Sequence, residues 1–135
     1  MAGRISEVIG AGVDAFNGED HERLLNLLTD DVEWKRVDGL PDGGGVLRGR
    51  AEVRAHLEPD VYDRSRFEAL EVVEGEDVAL VHGVFHARGA ASGIELDVET
   101  YVVYRLREGL VYQVESWRNR QDAERSSGLL LPTDP

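Results

Sequence analysis

The stretch IELDVETYVVYRLREGLVYQVESWR, residues 94–118, decides the fold. Two runs rich in Val, Tyr and Leu flank the pair Glu108 and Gly109, which suits a two-residue hairpin loop because glycine adopts a positive φ at little cost. If Arg107 faces Leu110 across that loop, the pairing of every residue beyond it is fixed. The stretch therefore predicts an antiparallel hairpin in which each side chain is assigned to one face of a sheet.

The residues before this hairpin continue the same β texture. Short apolar runs separated by Gly-containing turns predict four strands, at 66–73, 78–87, 94–106 and 110–118. Parallel neighbours would need crossovers of a dozen or more residues, and no helical pattern lies between these runs. We therefore predict an antiparallel meander.

The N-terminal half is predicted to be helical. Apolar residues recur at steps of three and four from Ile5 to Phe16, which is typical of an amphipathic helix. Two more helices, a strand and a loop are predicted: a helix capped by Asp20, a strand at 32–37, a loop at 39–45 and a helix at 50–58. This order predicts an α+β fold, with three N-terminal helices packed on the concave face of a curved antiparallel sheet. We expect one domain over residues 1–125 and a frayed C-terminal tail over 126–135.

Composition excludes several classes of function. The chain has 135 residues, and 15 Lys and Arg against 27 Asp and Glu give a formal charge of −12, so neither nucleic acid nor an anionic membrane is expected as a partner. There is no cysteine, which excludes disulfides and thiolate metal sites and suits the cytoplasm. His82 and His86 would lie roughly 13 Å apart along one strand, too far for a shared metal ion. Neither a metal site nor a cofactor is predicted.

The hairpin register predicts a pocket wall. On the third strand of the meander, Val98, Val102 and Tyr104 belong to the apolar set that faces inward. Thr100 lies between Val98 and Val102 in the same alternation. The register then turns their partners on the last strand inward as well: Gln113, Glu115, Trp117 and Asn119.

Glu115 is the unusual member of this wall, because a carboxylate on an apolar face is costly unless it is paired or protonated. One interpretation is a general acid or base with a raised pKa among Trp117, Tyr104 and Gln113. The other is a structural ion pair with an arginine such as Arg36, or exposure at the end of the sheet. The sequence leaves both open.

The candidate site combines these residues with others. In the catalytic interpretation Glu115 moves a proton, while Tyr104 or Arg36 steadies developing oxyanion charge. The residues assigned to ligand binding are Trp34, Thr100, Val102, Gln113, Trp117, Asn119 and His82. The opposite face of the hairpin, with Tyr101 and Val103, is more apolar than a fully solvated sheet and predicts a homodimer surface.

Four segments carry a family resemblance: DAFNGED at 14–20, LTDDVEW at 28–34, LRGRAEV at 47–53 and YRLREGLV at 104–111. In this order they resemble SnoaL-like polyketide cyclase relatives of the nuclear transport factor 2-like superfamily. The resemblance implies a cone-shaped α+β fold, usually dimeric, with a mostly apolar pocket. Many relatives carry an acidic residue after the aromatic of the final strand; this chain has Asn119 there, with Glu115 as the possible substitute.

Two functions follow as hypotheses. The first is a cofactor-independent cyclase, isomerase or dehydratase acting on an apolar, carbonyl-bearing or polycyclic molecule. The second is a dimeric binding or interaction module of the same fold without catalysis.

Overall fold

The computed structural model describes residues 2–37, 44–57 and 62–132. The elements, in chain order, are α1 (Ala2–Asn17), α2 (His21–Leu25), β1 (Leu28–Lys35), β2 (Val46–Arg48), α3 (Gly49–Leu57), β3 (Tyr62–Glu74), β4 (Val78–Gly89), β5 (Glu95–Arg107), β6 (Leu110–Trp117) and α4 (Arg120–Ser127). The predicted helices and strands are confirmed with shifted ends, and β2 is an additional short strand. Most of the predicted loop at 39–45 lies outside the described residues.

The strands form one six-stranded sheet in the order β2-β1-β6-β5-β4-β3. Strands β3 to β6 pair antiparallel with their chain neighbours, which confirms the predicted meander. Strand β1 adds to the far side of β6 and runs parallel to it. The connection from β1 to β6 is long, as a parallel neighbour requires, and it contains β2, α3 and the strands β3 to β5.

The helices α1 to α3 pack on one face of this sheet, called the inner face below. Apolar side chains of α1 and α3 meet the inward side chains of the strands in one buried cluster. Its members include Ile5, Ile9, Leu25, Val32, Val53, Ala79, Val81, Val102, Val111 and Val114. The α+β class and the predicted layering are therefore confirmed.

Polar side chains tie two of these helices to the sheet. The Asn17 side chain at the end of α1 donates to the Phe67 carbonyl (2.9 Å) and accepts from the Phe67 amide (2.7 Å). Arg50 of α3 donates through Nε to the Leu28 carbonyl at 3.1 Å. These three bonds satisfy backbone groups of β3 and β1.

The opposite, outer face is partly covered by the C-terminal segment. Ala123 of α4 is fully buried, and Leu131 beyond the helix is 6% exposed. They pack with Leu80 and Val103, which are also fully buried, and with Trp117. The predicted tail boundary at 125 therefore falls inside α4, and residues 126–131 pack against the sheet because two leucines bury apolar surface there.

The register of the β5–β6 hairpin differs from the prediction beyond its first pairs. Leu106 faces Val111 as expected, but Arg105 faces Gln113, so Tyr112 is an extra residue on β6. Such a β-bulge inverts the faces of all residues that follow, because side chains alternate with a period of two. Val111 and Val114 can thereby both reach the core.

Candidate functional site

A cavity of about 130 Å³ lies between the helices α1 to α3 and the inner face. Apolar side chains make up most of its wall. They include Val8, Ile9, Val13, Phe16, Leu24, Leu27, Leu57, Phe67, Phe85, Val111 and Val114. A small set of polar side chains interrupts this wall: Arg36, His56, Thr100, Tyr104 and Ser116.

Five residues predicted from the sequence line this cavity. They are Trp34, Arg36, Thr100, Val102 and Tyr104. Thr100, Val102 and Tyr104 point inward because they are alternate residues of the regular strand β5. Trp34 reaches the same wall through its pairing with Val114 on β6.

The bulge places Gln113, Glu115 and Trp117 on the outer face, so the prediction that they face the pocket is wrong. Glu115 pairs with Arg105 at 3.0 Å and accepts a hydrogen bond from Ser126 Oγ at 2.5 Å. Arg105 also donates to the Gln113 side chain (3.1 Å) and to the Ser126 carbonyl (2.7 Å). We call these four residues the α4 clamp, because they join the end of α4 to the outer face.

The environment of Glu115 favours its ionised form. Burial pushes the pKa of its carboxyl group upward, but hydrogen bonds from Ser126 and Arg105, together with the charge of Arg105, outweigh that effect and lower the pKa. The structural ion pair is thus the interpretation observed for Glu115, with Arg105 as the partner instead of Arg36.

Trp117 and Asn119, which were predicted to contact a ligand, make contacts within the fold instead. Trp117 packs on the outer face with Tyr101, and Lys35 Nζ lies 4.2 Å from its ring centroid. Asn119 caps α4, where its side chain accepts a hydrogen bond from the Asp122 amide at 3.1 Å. Neither residue lies among those that line the cavity.

His82, the last predicted contact, also belongs to the outer face. Its ring lies between Glu71 Oε1 (3.4 Å) and Glu99 Oε2 (2.8 Å), and it stacks on Tyr101 with 4.8 Å between centroids. Alternation along β4 explains this placement, because residue 82 shares its face with Leu80, which packs under α4.

His86 forms a similar outer-face contact and gives a testable pH dependence. Hydrogen bonds that the His86 ring donates to Asp97 (2.5 Å) and Glu68 (3.1 Å) raise the pKa of His86 above its ordinary value of 6.5. A pKa that is higher in the folded than in the unfolded state adds stability that is fully present below pH 6.5 and lost as pH rises through the folded-state pKa. We expect the wild type to lose more stability than His86→Gln between pH 6 and pH 8 in urea unfolding. Equal losses, or an NMR titration of His86 with a pKa at or below 6.5, would contradict this.

His56 is a functional candidate that was not identified from the sequence. It lines the cavity, and its Nδ1 lies 3.4 Å from Arg36 Nη1. Arginine only donates, so Nδ1 accepts and the ring hydrogen of the neutral form resides on Nε2. Val53, three residues before it, lies on the same helix face, and this spacing was the available signal.

Two hydroxyl groups in the wall are shielded from water. Burial raises the pKa of the Tyr104 hydroxyl, so it stays protonated and able to donate at neutral pH. Thr100 is 1% exposed, and its Oγ1 has no hydrogen-bond partner within residues 2–37, 44–57 and 62–132. A buried hydroxyl of this kind costs about 1–3 kcal/mol until a partner satisfies it.

The described part of the cavity wall contains no aspartate or glutamate. No group of His, Asp and Glu with the arrangement of a metal site occurs among the residues that the structure describes. In the same part of the chain, no helix is long and apolar enough to span a membrane.

Comparisons with known proteins agree with this architecture. A SnoaL-like domain model matches residues 9–114. A search among curated proteins gave no match.

Solved structures extend the likeness to nearly the whole chain. A nuclear transport factor 2-like protein from Burkholderia pseudomallei has a TM-score of 0.76 at 22% identity, covering 96% of this chain and 100% of its own. TerC, crystallised with polyporic acid, has a TM-score of 0.72 at 23% identity, covering 92% and 97%. Rv0760c from Mycobacterium tuberculosis, in complex with estradiol-17β-hemisuccinate, has a TM-score of 0.71 at 19% identity, covering 84% and 92%.

Proposed function

The chain belongs to the SnoaL-like domain family, and on that basis we propose that it binds a small, apolar, ring-containing molecule in the cavity. The observation that carries the proposal is the composition of the wall, in which aromatic and aliphatic side chains surround a few convergent polar groups. The ligands of TerC and Rv0760c, polyporic acid and estradiol-17β-hemisuccinate, support this choice of ligand class.

The volume suggests the size of the ligand. At about 130 Å³, the cavity is close to the ~150 Å³ of an engineered apolar cavity that takes up benzene. A single apolar ring therefore fits in the cavity. A polycyclic ligand requires side chains of the wall to move.

A cofactor-free cyclase, isomerase or dehydratase is the second candidate. Its supporting observation is the buried Tyr104 hydroxyl, which can donate to an oxyanion as charge develops. Such a reaction also needs a base, and Glu115 lies on the outer face while His56 Nδ1 faces Arg36. Binding is therefore the function that we put first.

Ligand binding can be tested by filling the cavity. Val102→Phe adds a ring to the wall, and we expect it to weaken binding of 4-isopropylbenzamide at least tenfold in calorimetric titration. Val84→Phe is the matched control, because residue 84 of β4 lies on the outer face and does not line the cavity. Circular dichroism checks that both variants fold. Unchanged affinity in folded Val102→Phe, or failure of the wild type to bind, would refute the cavity as the site.

A homodimer and a cytoplasmic location remain predictions. The dimer surface cannot include Val103, which lies fully buried beneath α4, so a second copy has to use the more exposed outer-face residues around Glu99. Light scattering at micromolar concentration should give twice the 15.0 kDa chain mass. A particle of single-chain mass would contradict the dimer.

A further inference from the structure

The polar groups of the cavity lie together. Parallel pairing of Lys35 with Glu115 brings the next residue, Arg36, beside Ser116. Ser116 faces Val102, and Thr100 is the next inward residue along β5. His56 contacts Arg36 from α3. We call Arg36, His56, Ser116 and Thr100 the polar patch.

Aromatic side chains flank the polar patch on two sides. On one side, Trp34 comes before Arg36 on β1 and Tyr104 comes after Thr100 on β5. On the other side, Phe85 and its pairing partner Phe67 extend the wall beyond Thr100. A ring bound against either side would direct a substituent toward the patch. The patch therefore determines which polar group a ligand can carry.

The chemistry of the patch is that of a donor site. Arginine offers five N–H donors and no acceptor, and Arg36 also contacts His56 Nδ1 through its Nη1. The Thr100 hydroxyl is buried and unpartnered among the described residues, and Ser116, which is paired with Val102 on β5, also lines the wall. Planar carboxylates match the arginine fork and accept such hydrogen bonds.

The charge of the patch contrasts with that of the whole chain. The formal net charge is −12, yet the described wall has no carboxylate, and Arg36 is its permanently charged side chain. In a desolvated wall, hydrogen bonds to a charged group contribute about 1.5–3 kcal/mol, so an anionic oxygen gains more than a neutral one.

From these observations we propose that the ligand is an organic acid with an apolar ring, whose carboxylate binds the polar patch through Arg36 and Thr100. The proposal rests on the proposed ligand-binding function and specifies the chemical class of the ligand. The ring contacts the aromatic wall, and the acid group satisfies the buried threonine hydroxyl.

Calorimetric titration with two isosteric probes, 4-isopropylbenzoate and 4-isopropylbenzamide, tests this assignment at neutral pH. We expect the wild type to bind the acid about 10- to 100-fold more tightly than the amide, the ratio that corresponds to charged hydrogen bonds. Arg36→Met should abolish the preference while retaining amide binding. Thr100→Val should reduce acid affinity several-fold with little effect on the amide.

Arg23→Met is the charge-matched control, because Arg23 is exposed on α2 and does not line the cavity; it should keep the preference. Arg36→Lys provides a second variant if Arg36→Met fails to fold, and it should retain only part of the preference because it lacks the fork. Amide binding without preference for the acid, or full preference in both folded Arg36 variants, overturns the assignment and leaves the cavity proposal standing. Failure of both probes to bind overturns both.

Discussion

Replacing Arg105 by methionine is expected to lower the free energy of unfolding by about 2–4 kcal/mol. The change removes a partly buried cation that bonds to Glu115, Gln113 and Ser126, and it leaves the Glu115 carboxylate in the clamp without its positive partner. Removing one member of a buried ion pair costs more than the pair itself contributes, because the remaining charge stays desolvated. Urea unfolding followed by circular dichroism measures the difference.

Arg107→Met is the matched control for this prediction. Arg107 lies two residues further along β5 and pairs with Asp31 at 2.8 Å, but both of those side chains are more than half exposed. Such exposed pairs contribute about 0–1 kcal/mol. If the Arg105 variant is no less stable than the Arg107 variant, the clamp does not hold α4.

Glu115→Gln separates the structural role of the clamp from a catalytic role. Glutamine keeps the size and one acceptor of the side chain, so part of the bonding to Arg105 and Ser126 survives. We expect lower stability but unchanged affinity for 4-isopropylbenzamide, because residue 115 lies on the face opposite the cavity. A loss of ligand affinity in a Glu115→Gln variant that is fully folded would contradict the placement of Glu115.

Gly83→Ala is expected to cost about 2–3 kcal/mol of unfolding free energy. A Cβ at this position of β4 would lie 2.4 Å from Phe67 Cζ and 2.5 Å from the Glu68 carbonyl oxygen. The carbonyl belongs to the backbone of the paired strand, so relief requires a shift of the β3–β4 ladder as well as the Phe67 ring. Denaturant unfolding measures the cost.

Gly10→Ala is the control for the glycine substitution. Gly10 lies in α1, and no described side chain outside its two chain neighbours and no backbone of another element lies within 4 Å of the position that a Cβ would take, so alanine should raise stability by up to about 1 kcal/mol through its higher helix propensity. Phe67→Leu in the Gly83→Ala background should recover part of the loss, since it removes one of the two contacts. Equal stability of Gly83→Ala and wild type would show that the sheet yields at this point without strain.

Much of the fold could be predicted because its signals are local. The apolar spacing of α1 and the Glu108-Gly109 loop each specify their element within a few residues. The parallel pairing of β1 with β6 could not be predicted this way, because it joins segments about 80 residues apart and leaves no local pattern.

The predicted and observed side-chain placements agree on β5 and differ on β6 beyond the bulge. Thr100, Val102 and Tyr104 face the cavity as the alternation predicts, because β5 is regular through them. On β6, Val111 and Val114 are both apolar, and a regular strand would bury only one of them. The extra residue lets both side chains reach the core. Burial of both valines thus sets which face each residue after Tyr112 occupies.

The bulge at Tyr112 also affects how relatives of this chain are to be compared. Deleting Tyr112 would restore regular pairing and leave the face of every other β6 side chain unchanged, whereas regular pairing with Tyr112 retained would turn Glu115 toward the cavity and Ser116 away from it. Homologous proteins with hairpins of equal length, one with the bulge and one without it, can thus carry an acid at the same alignment column with opposite roles, one beneath a helix and one facing a ligand. Alignments across this strand identify equivalent residues only when the presence of the bulge is established first.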